Sequence, residues 1–265
     1  MKEQKIMKRI LILMISFNII YIYMTTIFCR IGKKQNIKDK IISKIPDNFD
    51  LYVEPFIGSG AIFLNLDLEN KKSVINDLDK DLIKGHNSIK SGVTLDPETF
   101  IFSGDQEKFY KTNHTNNNDI FISTIIQTCG TFGSKGSGKI YKPISKSSFK
   151  NKIKHALKQK EYYKNTKIFN TDYKNIIKKF DTNKTFFYLD PPYESSKNLY
   201  KDEKFDFQEL VNVLKNIKGR FLLSLNDSPN IRNIFKDFNI VSLFVKGRNS
   251  YNIGNDRKEL LISNY

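Results

Sequence analysis

Residues 51–68 read LYVEPFIGSGAIFLNLDL, and the order of residue types in that run sets the expected architecture. LYVE is a short apolar stretch stopped by Pro55, as expected of a strand leaving a sheet. Gly58-Ser59-Gly60 follows as a turn, and the spacing of AIFLNLDL predicts a helix opening directly after it. KSVINDLD then predicts a second strand ending at Asn76-Asp77, and KDLIKGHNSI a second helix. Strand, helix, strand and helix joined by short links form the pattern of a doubly wound α/β sheet.

Upstream, NIKDKIISKI carries apolar residues at helical spacing from Ile37 to Ile45. Downstream, the alternation is interrupted over residues 94–164. Polar runs such as KTNHTNNND there separate short helical patterns, and a glycine-rich tract, CGTFGSKGSGKIYK, lies among them. The expectation is a mostly helical inserted subdomain, 94–164, within a domain made of residues 30–93 and 165–265. Alternation resumes with the strand of TKIFNTDY, the helical YKNIIKKF, the strand TFFYLD and the amphipathic FDFQELVNVLKNI. RFLLSLND predicts a strand, SPNIRNIFKDF a helix, and IVSLFV and ELLISNY two closing strands.

A chain of 265 residues with 39% hydrophobic content suits one sizeable domain carrying an insertion. Its formal net charge of +16 points to a polyanionic partner, because lysines along a surface bind phosphates and release counterions. Charge does not separate DNA from RNA, and abundant Lys, Ile and Asn also follow from an AT-rich coding bias. Two cysteines are too few for a disulfide framework, and three histidines without a paired spacing predict no metal site. Cys129 is read as an incidental small residue. The basic start MKEQKIMKR precedes an uncharged run from Ile10 to Phe28, about the ~20 residues that cross a bilayer core. Residues 1–29 therefore read as a leader, fitting either a membrane anchor or a start placed too far upstream. The remainder is expected in the cytoplasm, or wherever its nucleic acid is. Oligomeric state is left open.

Chemistry collects where the predicted strands end. The first ends in the Gly58-Ser59-Gly60 loop, whose glycines let a backbone pass close to a ligand. The next three end near Asp77, Asp172 and Asp190, the last within FYLDPPYE, residues 187–194. In open α/β sheets, ligands bind just beyond the carboxyl ends of the strands, and an acid after the second strand receives ribose hydroxyls. A GSG loop is shorter than the GxGxxG fingerprint of pyrophosphate-bearing dinucleotides. It favours an adenosine ligand without phosphate, such as S-adenosylmethionine.

Together EPFIGSGAIFLN, the acid of NDLDKDLI, DPPY, and the trailing RFLLSLND and KELLISNY resemble the Dam-like DNA adenine-N6 methyltransferases. The motif order matches as well: amino-terminal cofactor segment, GxG loop, target-recognition insertion, then the catalytic tetrapeptide. The resemblance covers about residues 30–265 and implies a Rossmann-like methyltransferase sheet. It also implies S-adenosylmethionine as cofactor and double-stranded DNA as partner.

On that resemblance, RIGKK places Gly32 and Lys34 at the family's cofactor-touching positions, with Arg30 where an aromatic is expected and Lys33 replacing a second glycine. Phe56, Gly58 and Gly60 match the loop beside the methionine part of the cofactor. Asp77 matches the ribose acid, and Asp172 the acid that meets the adenine amino group. Asp190, Pro191, Pro192 and Tyr193 are the implied catalytic set, Asp190 also bordering the cofactor. In the insertion, Phe132, Lys135, Lys139 and Tyr141 are the candidates for DNA contact. Related tetrapeptides serve cytosine N4, RNA adenine and protein amides, so these stay open as acceptors. A DNA-binding relic that has lost its cofactor also stays open, on the strength of Arg30 and Lys33.

Overall fold

A computed structural model describes residues 24–32, 34–131, 139–193, 205–245 and 257–265. Its seven strands are β1 (Leu51–Glu54), β2 (Lys72–Asn76), β3 (Thr166–Phe169), β4 (Thr185–Leu189), β5 (Arg220–Asn226), β6 (Asn239–Val245) and β7 (Arg257–Ser263). They form one sheet in the order β3-β2-β1-β4-β5-β7-β6. The pairs from β3 through β5 are parallel, whereas β7 runs antiparallel between β5 and β6. This is the doubly wound, Rossmann-like sheet expected from the sequence.

The strands are apolar on both sides because both faces are covered, as parallel sheets require. In β4, Phe186 and Tyr188 join one buried cluster while Phe187 and Leu189 join the other. The first cluster lies under α2 (Lys80–Ser91), α4 (Asn117–Gly130) and α5 (Lys146–Gln159), and the short α3 (Gln106–Lys111) packs on α4. The second lies under α6 (Tyr173–Phe180), α7 (Phe207–Lys215) and α8 (Pro229–Ile234). Helices α3, α4 and α5 all fall between β2 and β3. The remaining helix, α1 (Lys38–Ile42), is shorter than the Ile37–Ile45 pattern, its last turn continuing as Lys44 N–H to Ile41 O and Ile45 N–H to Ile42 O bonds.

Three expectations need correction. AIFLNLDL forms only a single 3₁₀ turn, Phe63–Asn65, after which Leu66 is extended at φ −87° and ψ 136°. Asn65 explains the stop: its amide donates to the carbonyls of Ala61 and Met24, a side-chain competition that ends helices. Residues 24–28, expected as the end of the apolar leader, belong to the fold, because Met24, Ile27 and Phe28 are buried in the first cluster; residues 1–23, with the rest of the expected leader, lie outside the described residues. No helix of the described residues is long and apolar enough to cross a membrane. Finally, Cys129 is not incidental: it forms a disulfide with Cys29, joining the entry segment to the last turn of α4.

Gly85 shows how tightly that entry segment is held. A Cβ there would stand 2.5 Å from Thr124 Cγ2 and 2.6 Å from Phe28 Cζ. A glycine inside α2 costs about 1 kcal/mol of helix propensity, and the close approach of Phe28 and α4 is what requires it.

Candidate active site

Strand order reverses between β1 and β4, since the chain runs outward from β1 to β2 and β3 before returning to β4. Val53 pairs with Phe187 there, so the Gly58 loop after β1 and the Asp190 tetrapeptide after β4 emerge side by side. A crevice at such a switch point is the ligand-binding position of open α/β sheets.

The loop is built on positive φ angles, +48° at Gly58 and +74° at Gly60, a conformation that glycine adopts without penalty. Three side chains fix it. Asp77 Oδ2 accepts the Gly58 amide at 3.0 Å, and its Oδ1 accepts the Asp79 amide at 3.0 Å. Burial raises Asp77 above its ordinary value, opposed by those amides and the charge of Arg30. Asn76, 1% exposed, bonds the Pro55 carbonyl and both the amide and carbonyl of Thr171, tying together the ends of β1, β2 and β3.

His86 supports the loop from beneath, with Nε2 2.9 Å from the Gly58 carbonyl and Nδ1 2.9 Å from the Tyr163 hydroxyl. A carbonyl only accepts, so Nε2 carries the proton and Nδ1 accepts from Tyr163. Burial lowers the His86 pKa from 6.5 to about 4. The unfolded chain therefore takes up a proton at higher pH than the folded one, and stability from this group falls as pH drops from about 6.5 to 4. The shift corresponds to roughly 3 kcal/mol. Denaturant titrations should give His86→Gln a flatter stability profile than wild type across that window; parallel profiles would contradict the assignment.

Arg30 pairs with Asp79, which also caps α2 by accepting the Asp81 and Leu82 amides. Its Cγ lies 3.9 Å from where a Gly58 Cβ would stand, so Arg30 flanks the loop. Gly32 has a φ of +81° and open space where a Cβ would be. Phe56 packs on Tyr173 and Phe205, with ring centroids 5.2 and 5.8 Å away. Asp172 acts as N-cap of α6, its Oδ1 accepting the Lys174 amide at 2.8 Å. Half of that carboxylate is thus engaged structurally.

Beside the end of β4, Lys34 is 4% exposed and its ammonium is surrounded by partners. Nζ donates to Asp190 Oδ1 at 2.5 Å and to the Gly32 carbonyl at 3.1 Å, and lies 3.4 Å from Glu259 Oε1. It also stands 4.8 Å from the centre of the Tyr193 ring, a cation–π contact. The Ser224 hydroxyl donates to the same Asp190 Oδ1 at 3.2 Å, with the Tyr188 hydroxyl 3.0 Å behind it. Neither donor uses Asp190 Oδ2. Burial raises the Asp190 pKa, opposed by the charge and hydrogen bond of Lys34 and by Ser224. Tyr193 donates its hydroxyl to Glu259 Oε1. Pro191 is buried and Pro192 partly so, and neither ring nitrogen carries a hydrogen to compete for an acceptor.

Between β2 and β3, Thr131 and Ile140 form an antiparallel bridge, and the Tyr141 amide donates to the Gly130 carbonyl at 2.8 Å. Residues 130–131 and 140–141 are therefore held together. Lys139 is exposed and Tyr141 is 77% exposed, while Phe132 and Lys135 lie outside the described residues. No cluster of metal-ligating side chains occurs among the described residues.

Glu259, Ser224, Asn76 and His86 were not singled out as functional from sequence. Each had a faint signal, being a polar residue inside an otherwise apolar strand or on the apolar face of a helix. Glu54 belongs with them: it is 2% exposed, accepts the Tyr52 hydroxyl at 2.6 Å, and is raised well above its ordinary value by burial.

Residues 31–246 match the family described as D12 class N6 adenine-specific DNA methyltransferase. The chain is 24% identical to the type II methyltransferase M1.LlaDCHI of Lactococcus lactis subsp. cremoris, over 88% of this chain and 93% of that protein. It is 28% identical to the type II methyltransferase M.MjaIII of Methanocaldococcus jannaschii, over 88% and 96% respectively. A DNA adenine methylase of Haemophilus influenzae is 36% identical over 62 residues, 23% of this chain and 21% of that protein. Among solved structures, an rRNA methylase from Streptococcus thermophilus superposes with a TM-score of 0.39 at 8% identity, covering 89% of this chain and 99% of that one.

Proposed function

The chain belongs to the D12 class N6 adenine-specific DNA methyltransferase family, and from that premise we propose that it moves a methyl group from S-adenosylmethionine to adenine N6 in double-stranded DNA. The observation that carries this reading is the meeting of two motifs at the switch point: the Gly58 loop held by Asp77, and Asp190 with Oδ2 used by neither Lys34 nor Ser224.

The residues present suit the cofactor. Positive φ at Gly58 and Gly60, and open space at Gly32, leave room for a ligand against the backbone. Asp77 uses one lone pair on each oxygen for the loop, and each oxygen keeps another for a ribose hydroxyl. Gly32, Lys34, Arg30, Phe56 and Asp172 are the other residues we assign to its site. When bound, the cofactor supplies an electrophilic methyl on sulfonium, which leaves as a thioether.

The chain's own contribution is to make N6 nucleophilic and hold it in line. The N6 lone pair is delocalised into the purine ring. Asp190 Oδ2 and the Pro191 carbonyl accept its two hydrogens, favouring the tetrahedral nitrogen that exists only as the methyl arrives. The nitrogen becomes acidic as its fourth bond forms, and Asp190, made more basic by burial, takes the departing proton. Tyr193 offers the ring face opposite Lys34 to a base turned out of the duplex. In-line placement then supplies much of the acceleration.

The insertion, 94–164, would read DNA through its glycine–lysine tract, with Phe132, Lys135, Lys139 and Tyr141 as the contact candidates. Relatives named type II methyltransferases support a role in DNA modification of the restriction–modification kind. The test is to incubate the purified protein with methyl-labelled S-adenosylmethionine and unmethylated genomic DNA, then analyse nucleosides. Label in N6-methyladenine is expected. Label in N4-methylcytosine, or no label from a folded protein that binds the cofactor, overturns the proposal.

A further inference from the structure

Of the charged groups at the site, Glu259 has no part in the chemistry described above. It is 7% exposed, and a carboxylate so buried costs free energy unless it is paired. One of its two oxygens, Oε1, faces both the Lys34 ammonium, 3.4 Å away, and the Tyr193 hydroxyl. These are two of the groups that shape the place of the target base.

Topology explains how a residue from the last strand gets there. Parallel strands present their carboxyl ends at the ligand rim, but β7 is antiparallel, so it presents its beginning. Glu259 is near the start of β7 and pairs with Asn226, the last residue of β5. It therefore stands level with the rim where β1 and β4 finish.

We propose that Glu259 is a positioning residue for methyl transfer, which fixes the Tyr193 ring by its hydroxyl and divides the Lys34 ammonium between itself and Asp190. Tyr193 is then held at three points: the proline-stiffened backbone, the hydroxyl, and the ring face under Lys34. Without the hydroxyl anchor the ring swings about its Cα–Cβ and Cβ–Cγ bonds, and the stacked base with it. A displacement of about 1 Å at the reacting nitrogen is enough to cost on the order of 100-fold in rate. Sharing the ammonium also matters. With Glu259 neutralised, Asp190 is the one carboxylate left to Lys34 beside the Gly32 carbonyl, a tighter pair that makes Asp190 a weaker acceptor of N6 hydrogens.

The inference rests on the proposed stacking of adenine on Tyr193, so wild-type transfer to adenine in unmethylated genomic DNA is measured first. Its absence counts against the proposed function, not against Glu259. With an active wild type, Glu259→Gln keeps the shape and removes the charge. The expected result is a 10- to 100-fold lower kcat, with KM for DNA and Kd for S-adenosylmethionine within about threefold of wild type. Glu259→Gln weakens the Tyr193 hydrogen bond to one with a neutral amide oxygen, whereas Tyr193→Phe deletes it and leaves β7 untouched. The double variant should be slower by less than the product of the two single effects, because the charge that Glu259→Gln removes strengthens the hydrogen bond that Tyr193→Phe deletes. Unchanged kcat in Glu259→Gln, or effects of the two substitutions that multiply, overturns the proposal. Should Glu259→Gln fail to fold, Tyr193→Phe decides alone, and wild-type turnover in that variant is the contrary outcome.

Discussion

Asp190→Ala should reduce methyl transfer by about 10³-fold while leaving the protein folded and able to bind S-adenosylmethionine. The size follows from removing an acceptor that acts mainly in the transition state, where one such interaction is worth about 10²–10³ in rate. The retained fold follows from the surroundings. Lys34 keeps the Gly32 carbonyl and Glu259 as partners when Asp190 is lost, so no buried charge is stranded. Burial already holds the Asp190 pKa above its ordinary value, which means that its ionised form is a cost to the folded state at neutral pH. Single-turnover rates with saturating DNA and cofactor measure the first part, and a denaturant titration the second. Retained transfer, or a large loss of stability, would contradict the role given to Asp190.

Lys34→Met should be harmful in both respects. It removes the cation between Asp190 and Glu259, both of which burial already raises above their ordinary values. Breaking a buried ion pair from one side costs about 3–5 kcal/mol, and turnover should fall by at least about 100-fold as the ring contact to Tyr193 is lost with it. The pH dependence has a definite sign. In the variant the two carboxylates repel each other, so their folded-state pKa values rise further. The destabilisation relative to wild type is then full at neutral pH and shrinks as acid protonates them. Denaturant titrations at pH 7.5 and pH 5 check this. A deficit that is equal or larger at pH 5 would show that carboxylate repulsion is not its cause.

Much of the fold was legible in the sequence because a parallel sheet covered on both faces writes itself as short, wholly apolar runs. LYVE, KSVIN and TFFYL each became a strand within a residue or two of its expected ends. The helix expected after Gly60 was not formed, because its periodicity was real but Asn65 and the buried Met24 segment turned the chain. Met24–Phe28 misled for a related reason: an apolar run reads alike whether it faces lipid or a protein core. The Cys29–Cys129 bond was invisible too, since a separation of 100 residues carries no local signal. Asp172 shows the opposite limit: a strand-end acid followed by a helix is a cap as readily as a ligand, and here its Oδ1 is in the cap.

Which groups end the parallel strands is written in the order of residues, and with it that Gly58, Asp77 and Asp190 share one rim, because strand direction and short links leave little freedom. What stands behind them follows from how the elements pack. His86 under the Gly58 carbonyl, Ser224 behind Asp190, and Glu259 between Lys34 and Tyr193 come from separate elements. Their meeting depends on helix packing and on the reversal of β7, which brings the start of the last strand to the rim where the others end. Glu259 arrives from the opposite direction, near the start of a strand and not after one, so the strand ends in the sequence carry no sign of it.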